Sequence, residues 1–137
     1  MLEMWVADLD LGNHVIVTGS RSDVPDLLNA IDVFGLTSRN EASPVSIMEA
    51  MSMELPVVAP DVGSISESVL HEKTGFLFQA GEAENIAEYW LRLINDPQLS
   101  RRFGTAGREL IEKNSSLNVM VSGYEQLIKE VYCGKLE

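Results

Sequence analysis

The chain has 137 residues, 45% hydrophobic and 23% charged, with a mean hydropathy of +0.03; this is the make-up of one ordinary globular domain and excludes two full ones. Ten Lys and Arg against 21 Asp and Glu leave a formal charge of -11, a field that repels phosphate backbones and anionic lipid and so excludes nucleic-acid binding as the main task. Salt screens that field over ~8–10 Å, which leaves room for one small anion in a local nest of backbone N–H groups.

Cys133 is the single cysteine and stands apart from His14 and His71, so no intramolecular disulfide, zinc site or other metal is expected. The opening MLEMWVADLD carries acids where a leader needs bases, and no apolar run approaches the ~18–20 residues of a membrane span. A reducing, cytoplasmic setting is expected, with membrane contact left open.

Met1–Leu9 places Met1, Leu2, Met4, Trp5 and Leu9 at helical spacing, and Gly12-Asn13 should end that helix. His14–Thr18 (HVIVT) is a β-branched run of buried-strand type, broken by Gly19-Ser20 before Pro25–Ala30 turns helical. Val33–Thr37 (VFGLT) predicts a second strand, then a polar loop Ser38–Ser43, then Pro44 in the first turn of a helix running to about Met53. Pro56–Ala59 and Gly75–Phe78 predict two more strands, with a short turn or helix around Ser66–Leu70 between them.

Apolar residues recur every three or four positions from Ala83 to Ile94 and again from Leu117 to Val131, so amphipathic helices over about 82–133 should close the domain. No repeat or linker divides residues 1–137, which therefore read as a single unit. Strands alternating with helices predict an α/β, Rossmann-like parallel sheet covered on both faces, with ligand outside the strands' carboxyl ends. That singles out the loops Gly19–Asp23, Ser38–Ser43 and Pro60–Ser64.

The most informative spacing is Glu41-x7-Glu49, with Glu41 in the loop and Glu49 inside the helix. The orphan N–H groups of Val45, Ser46 and Ile47 and the helix dipole favour an anion such as a diphosphate. Glu49, about a turn deeper, suits two vicinal hydroxyls such as those of a ribose, and Glu41 could meet a sugar. Bland readings compete: two solvated acids at a helix start, Glu67 as a cap of a short helix, Arg21 simply solvated, and His14 and His71 on the surface. Met48, Met51 and Met53 read as packing residues, and Cys133 as an incidental thiol near a frayed terminus.

These residues resemble the carboxyl-terminal, donor-binding half of the retaining GT-B glycosyltransferases of group 1. The likeness is carried by VIVTGSRSDVPDLLNAIDVFGLTS, by the Glu-x7-Glu segment running into EAMSMELPVVAPDVGSISE, by TGFLF and by the helical tail, nearly the whole chain. It implies transfer of a sugar from a nucleotide-diphosphate sugar to a glycan or lipid acceptor, as in polysaccharide biosynthesis, with no metal or other cofactor. By position, Glu41 matches the glutamate at the transferred sugar and Glu49 the one at the ribose. Ala42, Ser43, Pro44 and Val45 match the loop facing sugar and diphosphate; Gly19, Ser20 and Arg21 match the loop beside the nucleobase; Gly63 and Glu67 are supporting residues.

The family's acceptor domain, its first two strands and helix, and the Arg and Lys that clamp the diphosphate would precede Met1. A helix terminus supplies about 0.3–1 kcal/mol, up to ~2 when partly buried, against the roughly 8–23 kcal/mol of enzymatic acceleration. The chain alone is therefore expected to be inactive, a truncated enzyme domain or else a non-catalytic nucleotide-sugar-binding subunit needing a partner chain. A receiver-type signalling domain is discounted, since the acidic pair and late-strand Lys of phosphoacceptor chemistry are missing. Two departures from the family pattern are Glu54, where a helix-ending glycine is usual, and Ser64, where a second glycine is common. In the family the absent strands lie between HVIVT and VFGLT, so either those two runs should close up directly or the chain should self-associate, swap elements or need a partner.

Overall fold

The computed structural model describes residues 2–133. In chain order it forms α1 (Leu2–Asp8), α2 (Val24–Asn29), β1 (Phe34–Gly35), α3 (Val45–Ser52), β2 (Val57–Pro60), α4 (Ile65–Ser68), β3 (Gly75–Phe78), α5 (Ala83–Asn95), α6 (Pro97–Ser115) and α7 (Leu117–Cys133). Met1, at the start of the expected first helix, lies outside the described residues. The three strands pair in the order β1-β2-β3, all parallel. Phe34 registers with Val57, and Val57 to Pro60 register with Gly75 to Phe78. A parallel α/β sheet with helices on both faces is what the alternation of elements required.

β2 is the central strand, and all four of its residues are buried. Its side chains alternate between two cores, as the period of two dictates. Val57 and Ala59 join Leu28, Ile47, Met51 and Ile65, from α2, α3 and α4. Val58 faces the other way, among Phe76, Phe78, Leu93 and Phe103. α6 reaches both: Phe103 lies in the second core, while Leu110 and Ile111 pack against the first.

Several expectations need correction. Among the described residues His14–Thr18 forms no strand and pairs with none; His14 and Val15 N–H turn back to Leu11 carbonyl at 2.8 and 2.9 Å, and Ile16 is 87% exposed. A β-branched run gains little from being extended unless a neighbouring strand takes its N–H and C=O groups, and the edge strand β1 is only two residues long and pairs only with β2 among the described residues. Direct closure of HVIVT onto VFGLT is therefore not what the chain does, and the expected Val33–Thr37 strand shrinks to Phe34–Gly35. Pro44 stands at the N-cap of α3 rather than in its first turn. α1 ends earlier than Gly12-Asn13: Asp10 takes φ +52°, and Leu11 N–H reaches the Val6 carbonyl at 2.9 Å, a Schellman closure.

α5 closes its face of the sheet as expected, but α7 does not: all of its residues remain unburied, because no described residues cover its apolar face. The tail also contains α6, a distinct helix that the sequence reading does not separate, although Leu99, Phe103, Ala106 and Leu110 recur at helical spacing along it. Its signal is local: Asp96 accepts from Gln98 N–H at 3.1 Å and Leu99 N–H at 3.0 Å, and Pro97 occupies the first helical turn.

The departure at Glu54 is a strained one. α3 ends in a Schellman motif, with Leu55 N–H donating to Ala50 carbonyl at 3.1 Å and Glu54 N–H to Met51 carbonyl at 3.0 Å, which forces Glu54 to φ +59°. A left-handed conformation costs a non-glycine residue about 1 kcal/mol or more. The exposed Glu54–Arg108 pair at 3.8 Å offsets little of it. Glu54→Gly is expected to stabilise the fold by about 0.5–1 kcal/mol, read as a higher melting temperature; an unchanged or lower one would show that the carboxylate outweighs the backbone.

Candidate functional site

The loops after β1 and β2 meet at the carboxyl edge of the sheet. β1 feeds the Ser38–Ser43 loop and then α3; β2 feeds Asp61-Val62-Gly63-Ser64 and then α4. Asp61 N–H donates to Phe78 carbonyl at 2.7 Å and Val62 N–H to Pro60 carbonyl at 3.0 Å, which fixes the second loop against β3. That loop holds the first. Ser64 N–H donates to Glu41 carbonyl at 3.4 Å, and the Ser64 hydroxyl donates to Ala42 carbonyl. Gly63, at φ +56°, lies so close beneath Glu41 that a Cβ there would sit 1.7 Å from its carbonyl oxygen.

Pro44 is buried and α3 starts directly after it. Ile47 N–H already donates to Pro44 carbonyl at 3.0 Å, so it is not one of the free donors expected there. Val45 and Ser46 remain, with no hydrogen-bond acceptor among the described residues. Glu49 projects from the middle of α3 and is exposed. It borders a hollow of about 430 Å³ whose walls include Val24, Pro25, Leu28, Met48 and Ile111. Met48 and Met53 line this hollow, so of the three methionines only Met51 is pure core.

A smaller hollow of about 160 Å³ opens beside the first loop, between Thr37, Ser38 and Arg39 on one side and Phe78, Ala80 and Gly81 on the other. Another hollow, about 450 Å³, lies at the opposite, amino end of the sheet beside Pro56 and Pro97. The carboxyl end is the one with loop crevices and free helix N–H groups, and ligands of open α/β sheets bind there.

The loop Gly19–Asp23 is exposed apart from half-buried Asp23, and no hydrogen bond among the described residues joins Gly19, Ser20 or Arg21 to Glu41 or Glu49. Arg21 is not free in solvent: its Nε donates to Asp23 Oδ1 at 2.7 Å and a second nitrogen to Oδ2. This bidentate pair holds the Asp23 carboxyl below its ordinary range and the guanidinium above its own. Glu67 lies in the first turn of α4 but does not cap it, since Ser64 N–H is spent on Glu41. His71 is a surface residue with a partner, its Nδ1 accepting from Leu77 N–H at 3.0 Å. His14 and Cys133 are exposed, and no cluster of metal-ligating side chains occurs among the described residues. No helix of the described chain is long and apolar enough to cross a membrane.

The family model for glycosyl transferases group 1 matches residues 1–110. Among curated proteins, the chain is 29% identical over 126 residues to N-acetyl-alpha-D-glucosaminyl L-malate synthase of Bacillus anthracis, covering 92% of this chain and 33% of that protein. Among solved structures, it superposes on sucrose-phosphate synthase of Thermosynechococcus elongatus with TM-score 0.89 and 26% identity, covering 97% of this chain and 34% of the other. It matches Anabaena Alr3699/HepE in complex with UDP-glucose with TM-score 0.88 and 28% identity, covering 94% and 36%. The chain thus spans about a third of the length of the relatives it matches.

Proposed function

The chain belongs to the glycosyl transferases group 1 family, and from that premise we propose that it is the donor-binding part of a retaining glycosyltransferase. The observation that supports this best is the junction of the two loops at the sheet's carboxyl edge, where Ser64 holds the Glu41 and Ala42 carbonyls and α3 starts at Val45 with the N–H groups of Val45 and Ser46 unspent. In this reading those N–H groups receive the donor diphosphate, Glu49 accepts from the ribose hydroxyls and Glu41 from the transferred sugar. Ala42, Ser43 and Pro44 shape the floor, Gly19 to Arg21 lie beside the base, and Gly63 and Glu67 support the sugar end.

The acceptor hydroxyl forms its bond to the anomeric carbon as the bond to the diphosphate breaks, and its proton leaves with the diphosphate. No metal or further cofactor takes part. Acceptor recognition falls to another domain or partner chain, so the 137-residue chain transfers no sugar by itself; a radiolabel-transfer assay showing turnover, lost in Glu41→Ala, would overturn that division.

Calorimetric titration tests the donor site. Wild-type chain should bind UDP or GDP weakly, and Glu49→Ala should lower the affinity by about tenfold or more, since a charge-assisted hydrogen bond contributes ~1.5–3 kcal/mol. Equal affinity in the variant removes Glu49 from the site.

A further inference from the structure

The sugar end of the site depends on a residue that is not expected to touch sugar. Glu41 to Ser43 make no hydrogen bond to their own neighbours among the described residues: only Pro44 is held locally, by Ile47 N–H on its carbonyl, and its ring nitrogen has no hydrogen to donate. The restraint comes from across the chain. Ser64 occupies the N-cap of α4, where a serine hydroxyl ordinarily accepts from its own helix, yet here it makes no such bond. Its hydroxyl instead donates to Ala42 carbonyl, 22 positions away in sequence, while its N–H donates to Glu41 carbonyl at 3.4 Å.

We propose that Ser64 is a positioning residue for Glu41, tying the loop after β1 to the loop after β2 and so setting how well the site distinguishes a nucleotide sugar from the bare nucleotide. This rests on the donor-site reading. The Glu41 carboxylate makes no hydrogen bond among the described residues, so its placement follows from its backbone, and two consecutive carbonyls of that backbone are held by Ser64. Where a second glycine stands in the family pattern, only the N–H tie is available. The hydroxyl adds a second tether at the cost of a helix cap. Losing the hydroxyl leaves the Ser64 N–H tie to Glu41 carbonyl and introduces no clash at Gly63, so the start of α3 and Glu49 keep their places and nucleotide binding itself should change little.

Titrating UDP and UDP-glucose into wild type, Ser64→Ala, Ser64→Thr and Glu41→Ala, each checked for folding by its melting temperature, separates the possibilities. Ser64→Ala is expected to weaken UDP-glucose about three- to tenfold and leave UDP within about twofold. Ser64→Thr, which keeps the hydroxyl, should hold wild-type affinity for both, and adding Ser64→Ala to Glu41→Ala should weaken UDP-glucose no further. Unchanged UDP-glucose affinity in Ser64→Ala, equal losses for both ligands, or a Thr variant as weak as the Ala one overturns the proposal. Wild type that binds UDP with no gain from the glucose overturns the role of Glu41 and Ser64 while leaving the nucleotide site standing. Wild type that binds neither overturns the donor-site reading and this inference with it.

Discussion

Gly104→Ala is expected to destabilise the fold by about 3 kcal/mol, one of the largest effects any single methyl group could have in this chain. A Cβ at that position would lie 1.9 Å from the Glu54 carbonyl oxygen and 2.7 Å from its carbon. Those are backbone atoms, held by the Schellman closure of α3, so no rotamer change relieves the contact. The remaining route is for α6 to move away from α3, and that would open the core around Met51 and loosen Leu110 and Ile111. The same shift would break the Arg108 contacts that join α6 to the end of α3, with its Nη1 on Ser52 carbonyl at 3.2 Å and 3.8 Å from the Glu54 carboxylate.

Gly107, one turn on, supplies the control. Its nearest neighbours are Met51 side-chain atoms, the closest at 3.3 Å, and a thioether chain can turn aside. Gly107→Ala should therefore cost less than about 1 kcal/mol. Urea denaturation of the two variants measures both; similar midpoints would mean that α6 is not held against the end of α3 as described.

That helix contact also shows where sequence reading runs short. Periodicity found the strands Pro56–Ala59 and Gly75–Phe78 because both are buried and β-branched or aromatic, and burial in a parallel sheet leaves a continuous apolar run. It did not separate α6 from the rest of the tail, although Leu99, Phe103, Ala106 and Leu110 recur at helical spacing, and it could not show that Gly104 and Gly107 are buried against the end of α3, since a glycine carries no apolar signal. It overread HVIVT for the opposite reason. Composition records the capacity to pair, whereas a strand exists only where a partner supplies the ladder.

At the site, the carboxylate spacing and the position of α3 were legible, since caps and helix starts are local. The tie from Ser64 to Ala42 was not, because a hydroxyl at an N-cap looks like a cap until the fold shows what it reaches. The pairing of Arg21 with Asp23 could have been read from their spacing of two, and the left-handed Glu54 falls where a helix-ending glycine is usual.

Gly63→Ala should combine a large stability loss with loss of nucleotide binding. At φ +56° an alanine bears roughly 1 kcal/mol or more of left-handed strain, and its Cβ would fall 1.7 Å from Glu41 carbonyl oxygen and 2.8 Å from the carbon. Both terms act together, for about 2–4 kcal/mol in all. Gly19 separates them: it has φ +66° but nothing within 4 Å, so Gly19→Ala carries the strain alone, about 1 kcal/mol. The cheapest relief for Gly63→Ala is outward movement of the Glu41–Pro44 segment, because β2 and β3 hold the other loop through Asp61 N–H on Phe78 carbonyl at 2.7 Å. Since α3 begins immediately after that segment, its first N–H groups shift with it. Chain carrying Gly63→Ala, assayed below its melting temperature, should therefore bind UDP at least about tenfold more weakly than wild type, a change of ~1.4 kcal/mol. A variant as stable as Gly19→Ala would contradict the close approach of the two loops. A variant that is destabilised yet binds UDP normally would keep the contact but place the diphosphate away from the start of α3.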